Sequence, residues 1–190
     1  MTTTSSVLLP LVIQALTLTP KTTIAGANVW RRRTWPTQPD QYPCIILRWR
    51  GESKRSAGRS GVNYTTSTRL VINARVQVSA AEDDAGASEA EDLLLLLQRQ
   101  IEVAVINYTP LMALLQQQGP SIDIEADVSS NGGEHLGELA MSIGLEFYQG
   151  AEDFYQPPQT PLTEVTLQTP FPTASGKGVG LDITFPPETS

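Results

Sequence analysis

The strongest pattern in the chain runs from Ile122 to Tyr148. In its first arm Ile122, Ile124, Ala126 and Val128 alternate with Asp123, Glu125 and Asp127. In its second arm Leu139, Met141, Ile143, Leu145 and Phe147 alternate with Ala140, Ser142, Gly144 and Glu146. A period of two places each apolar set on one face of a pleated strand. Asn131-Gly132, between the arms, supplies the positive-φ residues that a tight reversal needs. The pattern predicts a long antiparallel hairpin with one dry face.

The same alternation recurs upstream. Over Tyr64–Ser79, Leu70, Ile72, Ala74, Val76 and Val78 face one way, and Arg69, Val71, Asn73, Arg75 and Gln77 the other. Val71 among those polar positions implies that the second face is partly covered as well. Cys44–Arg50 reads as a strand with Ile45, Leu47 and Trp49 on one side and Arg48 and Arg50 on the other, and Val29-Trp30 as the start of a shorter one. The three- and four-residue spacing of Leu8, Leu9, Val12, Ile13 and Leu16 predicts a first helix to about Leu16, capped by Ser5 or Ser6, with Pro10 tolerated only in its first turn. The main helix is expected from Glu82-Asp83-Asp84, acids suited to a positive helix N-terminus, to about Tyr108. Its Leu93–Leu97 run is apolar all round, which predicts burial on more than one side. Pro110 opens a short helix, Leu111 to Gln118.

Between these elements the punctuation is strong. Pro36, Pro39 and Pro43 exclude regular structure after the Arg31-Arg32-Arg33 cluster. Residues 51–62, with Lys54, Arg55 and Arg59 among glycines and serines, read as a flexible basic loop. From Gln156 to Ser190 the chain holds half of its fourteen prolines and cannot bury a core of its own. Val165-Thr166-Leu167 and Leu181 to Phe185 nevertheless alternate like short edge strands, so the segment reads as an extended arm that orders on a neighbour. The organisation is a body over 1–155 and a proline-rich C-terminal arm over 156–190. The expected fold class is α+β: a mixed, mainly antiparallel sheet with a long helix packed on one face.

Charge changes this picture. The net charge of −7 conceals a segregation: Arg31 to Arg75 carries ten basic residues against Asp40 and Glu52, whereas eighteen acids follow Arg75 against only Arg99 and Lys177. Such a chain presents a dipolar surface, suited to nucleic acid at its basic part or to docking copies of itself, basic patch on acidic patch. Subunit or lumen contacts are therefore expected at Arg31, Arg32, Arg33, Arg48, Arg50, Lys54, Arg55 and Arg59, and acidic docking at Asp123, Glu125, Asp127, Glu152 and Asp153. Trp30 and Trp35 beside the arginine cluster add the stacking groups that nucleic-acid surfaces use.

Catalytic patterns are sparse, and no enzyme activity is expected. Gly176-Lys177-Gly178 lacks the spacing of a phosphate loop. His135 is the only histidine, which rules out a multi-histidine metal site, and it reads as a solvated turn residue beside Glu134 and Glu138. No Gly-x-Ser-x-Gly elbow is present. The single Cys44 excludes an internal disulfide and reads as a small buried hydrophobe. No cofactor or metal is expected. No apolar run approaches the roughly 20 residues of a membrane span, so a soluble protein made in the cytoplasm, without membrane contact, is expected.

The order of elements, with Trp35-Pro36, Gln41-Tyr42-Pro43-Cys44-Ile45-Ile46, Glu134-His135-Leu136-Gly137-Glu138-Leu139 and Glu146 to Phe154, resembles the tail terminator, or lambda-type tail-completion, proteins of bacteriophages. The resemblance covers roughly residues 5–155 and leaves out the arm. It implies a structural virion protein of the tail neck, made in the host bacterial cytoplasm, that forms a ring similar to the family's hexamers. Such a ring ends tail-tube polymerisation and offers a head-joining surface. The implied partners are other copies of the chain, the tail tube protein and a head-tail connector or stopper protein, with non-specific contact to genomic DNA in the channel. A connector or stopper component is the alternative, and a nucleic-acid-binding protein a more distant one.

Overall fold

A computed structural model describes residues 3–18, 23–34, 36–58, 61–79, 84–117, 119–130 and 133–155, and the backbone of 164–168 and 180–184. The elements are α1 (Ser5–Thr17), β1 (Val29–Arg31), β2 (Cys44–Ser56), β3 (Tyr64–Ser79), α2 (Ala85–Ile106), α3 (Thr109–Met112), β4 (Ser121–Ser130), β5 (Glu134–Gln149), β6 (Glu164–Gln168) and β7 (Gly180–Thr184). Two units are distinct, one ending at Phe154 and the other beginning at Tyr155. Of the second, β6 and β7 pair antiparallel with each other. The rest of the expected arm lies outside the described residues.

The first unit is α+β. Its sheet has the order β1-β2-β3-β5-β4. β1 runs parallel to β2; the other pairs are antiparallel. The hairpin β4–β5 forms as the alternation requires, with Ile122 opposite Ile143, Ile124 opposite Met141 and Val128 opposite Gly137. Its Asn131-Gly132 reversal lies outside the described residues. β5 joins β3 in register from Tyr64–Gln149 to Ser79–Glu134. The helices cover one face, closing a core of Leu8, Val12 and Leu16 from α1, Leu94, Leu97, Ile101 and Val105 from α2, and Leu70, Ile72, Leu139, Met141 and Phe147 from the sheet. At 22 residues α2 is about 33 Å long, enough to lie along the sheet.

Two glycines set the distance between the layers. A Cβ on Gly86, in the first turn of α2, would stand 2.6 Å from His135 Cδ2 and 2.9 Å from the Ser79 carbonyl oxygen. A Cβ on Gly137 would stand 2.7 Å from Val76 Cγ2 and 3.0 Å from Leu94 Cδ1.

Several sequence expectations are corrected. His135 is not a solvated turn residue: β5 begins at Glu134, and the imidazole is buried under α2 at 8% exposure. The run Leu93–Leu97 is not buried all round. Leu94 and Leu97 face the core, while Leu95 and Leu96 are 56% and 44% exposed. The main helix ends at Ile106 rather than Tyr108, and the short helix is only Thr109–Met112. In β4, an edge strand, Ile122, Ile124 and Val128 are half-buried against the core and Ala126 is exposed.

Pro10 lies inside α1, beyond its first turn. It is tolerated because both it and Ser6, whose carbonyl loses its helical donor, face solvent. Thr4 is the N-cap residue, with no side-chain cap. Ser5 turns inward instead, where its Oγ meets the Glu52 carboxylate and lies 2.9 Å from Thr68 Oγ1.

Candidate functional site

Among the described residues of the first unit no helix covers the other face of the sheet, and register fixes what it carries. Three rows cross it from β2 to β4: Arg48–Val71–Ser142–Asp123, Ile46–Asn73–Ala140–Glu125 and Cys44–Arg75–Glu138–Asp127. The β2 side of each row is basic or apolar, and the β4 side is acidic. In the first two rows the middle positions are short side chains, so the face is shallow there; in the third they are Arg75 and Glu138. The backbones at Arg48 and Asp123 stand three strand spacings apart, about 14 Å, and no ion pair joins the two side chains among the described residues.

Near β2, the loop residues 32–34 and 36–43 fold back over this face. They cover Cys44 and Ile46, which are buried at outward-facing positions. Burial pushes the Cys44 thiol above its ordinary range. Between loop and sheet lies an open hollow of about 580 Å³ lined by Arg32, Arg33, Arg48, Arg50 and Arg75, with Thr34, Pro36, Ile46 and Trp49. No acid lines it. On its far side Arg75 Nε stands 2.8 Å from Glu138 Oε1, although its N–H does not line up for a hydrogen bond.

The expected basic residues divide into two groups. Arg32, Arg48 and Arg50 converge on the hollow, and Arg31 is exposed on the edge strand β1. Among the described residues, no hydrogen bond or ion pair engages these four side chains. Arg33 and Lys54 serve the fold. Arg33 stacks on Trp30 with its guanidinium carbon 4.2 Å from the ring centre, and it donates to Gln41 Oε1 at 2.6 Å. Lys54 is not on a flexible loop, because β2 continues to Ser56. A bulge between Trp49 and Gly51 resets the alternation and turns Glu52 and Lys54 to the helix side. There Lys54 pairs with Glu52 at 3.3 Å, bonds Gln149 Oε1 and lies 5.3 Å from the Phe154 ring centre. Arg55 stays exposed. Arg59 and Trp35 lie outside the described residues.

The acids divide likewise. Asp123, Glu125 and Asp127 are exposed along β4 with no side-chain partner among the described residues. Asp153 accepts the Gly150 backbone N–H at 3.0 Å and closes a local turn, while Glu152 is exposed beside it. The candidate site is therefore a pair of unpaired charge clusters at opposite edges of one open face.

Sequence reading missed a second polar feature at the end of the sheet. Thr66, Thr68 and Gln149 are buried. Thr66 donates to Gln149 Oε1 at 2.9 Å, Trp49 Nε1 donates to Thr68 Oγ1 at 3.0 Å, and Gln149 Nε2 donates to the Thr3 carbonyl at 3.0 Å. Polar residues at the inward positions of β3 were the available signal. This network anchors the start of α1. A third surface is the outer side of α2, where Leu95, Leu96, Val103 and Ile106 are exposed.

Among the described residues, no three His, Cys, Asp or Glu side chains converge as a metal site, and no helix is long and apolar enough to cross a membrane. No protein-family model matches the chain, and no curated protein matches its sequence.

Proposed function

We propose that the chain is a structural virion protein that forms a ring at the head-proximal end of a bacteriophage tail tube, ends tube polymerisation and presents a head-joining surface. The observation that carries this reading is the sheet face opposite the helices, basic near one edge and acidic at the other, with both clusters unpaired among the described residues. A ring of identical subunits needs two different complementary patches on each copy. The exposed leucines of α2 add apolar area of the kind that assemblies cover. The resemblance over residues 5–155 supplies the biological setting and the expected size, similar to the hexamers of tail terminators.

The test adds the purified protein to polymerising tail tube protein and images the products by electron microscopy. Tubes arrested in growth, with a ring on one end, support the reading. Tubes of unaltered length and bare ends contradict it. Binding to head-connector rings but not to tube ends assigns the chain instead to the connector or stopper.

A further inference from the structure

We propose that the acidic edge strand β4 of one copy docks into the arginine hollow beside β2 of a second copy, joining copies head to tail. The inference rests on the ring reading and names its joint.

The occupant follows from charge and position. The hollow holds Arg32, Arg48 and Arg50 without an acid in its lining. The chain's own complement is the row Asp123, Glu125, Asp127 on β4. In a strand, residues two apart repeat at about 6.8 Å, so the three carboxylates form a regular outward-facing ladder. Arginine guanidinium groups take carboxylates with two parallel hydrogen bonds, which gives such a contact direction as well as charge. Within one copy β3 and β5 lie between β2 and β4, and no ion pair joins the two clusters among the described residues, although Arg48 and Arg50 border hollows that Glu125 also lines. Between copies, a sideways step along the sheet brings β4 of one toward the β1–β2 side of the next, where the hollow lies.

Two features favour this occupant over a nucleic acid. The chain carries a net charge of −7, and the acidic band shares the open face with the hollow, so a phosphate backbone laid across that face meets repulsion. The edge strand also needs a cover. β4 leaves one side of its ten-residue backbone unpaired among the described residues, and inward or outward charges on such an edge discourage indiscriminate pairing while permitting a charge-matched one. Because the two patches differ, the contact is heterologous, and its repetition builds a ring or a filament rather than a closed pair.

Two variants test the joint: Arg48→Glu with Arg50→Glu, and Asp123→Lys with Glu125→Lys. Circular dichroism checks that each is folded, and light scattering gives the mass of each alone and of an equimolar mixture. The native chain is expected to assemble, each variant alone to lose assembly by tenfold or more in concentration, and the mixture to recover it. Assembly of either variant like the native chain overturns the joint while leaving the ring reading intact. So does failure of the mixture when both variants are folded. A native chain that stops at two copies shows a face-to-face pair and also overturns it. A native chain that stays single at every concentration, with or without tube protein, removes both the joint and the ring. If a double variant does not fold, the single exposed changes Arg50→Glu and Asp123→Lys replace it, with the same pattern expected at smaller amplitude.

Discussion

Arg75 Nε stands 2.8 Å from Glu138 Oε1 across the β3–β5 pair. This contact is the seam of the open face: basic residues lie toward β2 and acids toward β4. The Glu138 side chain is largely exposed, so solvent screens the pair. Glu138→Gln is expected to change stability by less than about 1 kcal/mol. Urea denaturation at low and moderate salt checks this. A larger loss would mean that the seam holds the sheet itself.

Gly86 is expected to resist substitution. In an exposed helix interior, Gly→Ala gains about 1 kcal/mol in helix propensity. Here the added methyl meets His135 Cδ2 at 2.6 Å and the Ser79 carbonyl oxygen at 2.9 Å. Overpacking of this kind costs about 1–3 kcal/mol, so Gly86→Ala should lower the denaturation midpoint. An unchanged or raised midpoint would show that α2 does not press on β5 there.

Thr68→Val keeps the shape of a buried residue and removes its hydroxyl. Trp49 Nε1 then loses its acceptor, Ser5 loses a neighbour at 2.9 Å, and the Gly51 carbonyl loses a donor at 3.2 Å. Unsatisfied groups cost about 1–3 kcal/mol each when buried. Trp49 is half exposed and can turn to water, so a total near the lower end is expected from equilibrium unfolding.

The Cys44 thiol is buried and its pKa is raised by that burial. Alkylation should be slow in the native protein and rapid once it is unfolded. The linkage has a definite sign. The folded state holds the proton more tightly, so this contribution is fully present below the unfolded thiol pKa of about 8.5. It is lost as pH rises through the folded pKa. Thiol labelling against urea, repeated at rising pH, checks both statements; fast labelling of the native protein would contradict them.

The long strands were legible because one face of each is fully buried, which leaves the alternation Leu70, Ile72, Ala74 and Leu139, Met141, Ile143 in plain sight. The far half of β2 was not legible. Its inward positions Glu52 and Lys54 are polar and are satisfied by Ser5 and Gln149, residues distant in sequence. Leu93–Leu97 misled because the pattern records what is apolar, not what is covered, and among the described residues α2 buries Leu94 and Leu97 while Leu95 and Leu96 stay exposed. His135 misled because its acidic and glycine neighbours resemble a turn, while its burial depends on Gly86 passing above it. The charge asymmetry could be counted along the chain. Its placement on a single face depends on β5 inserting between β3 and β4, a long-range pairing that no local pattern reports.

The central claim is that copies of this chain join through their opposite charges. The solution mass of the purified native chain, by light scattering at low and at high salt, tests it most directly. The account predicts a ring-sized species at low salt that falls toward single chains as salt screens the contact. A single-chain mass at low salt and high concentration would contradict it.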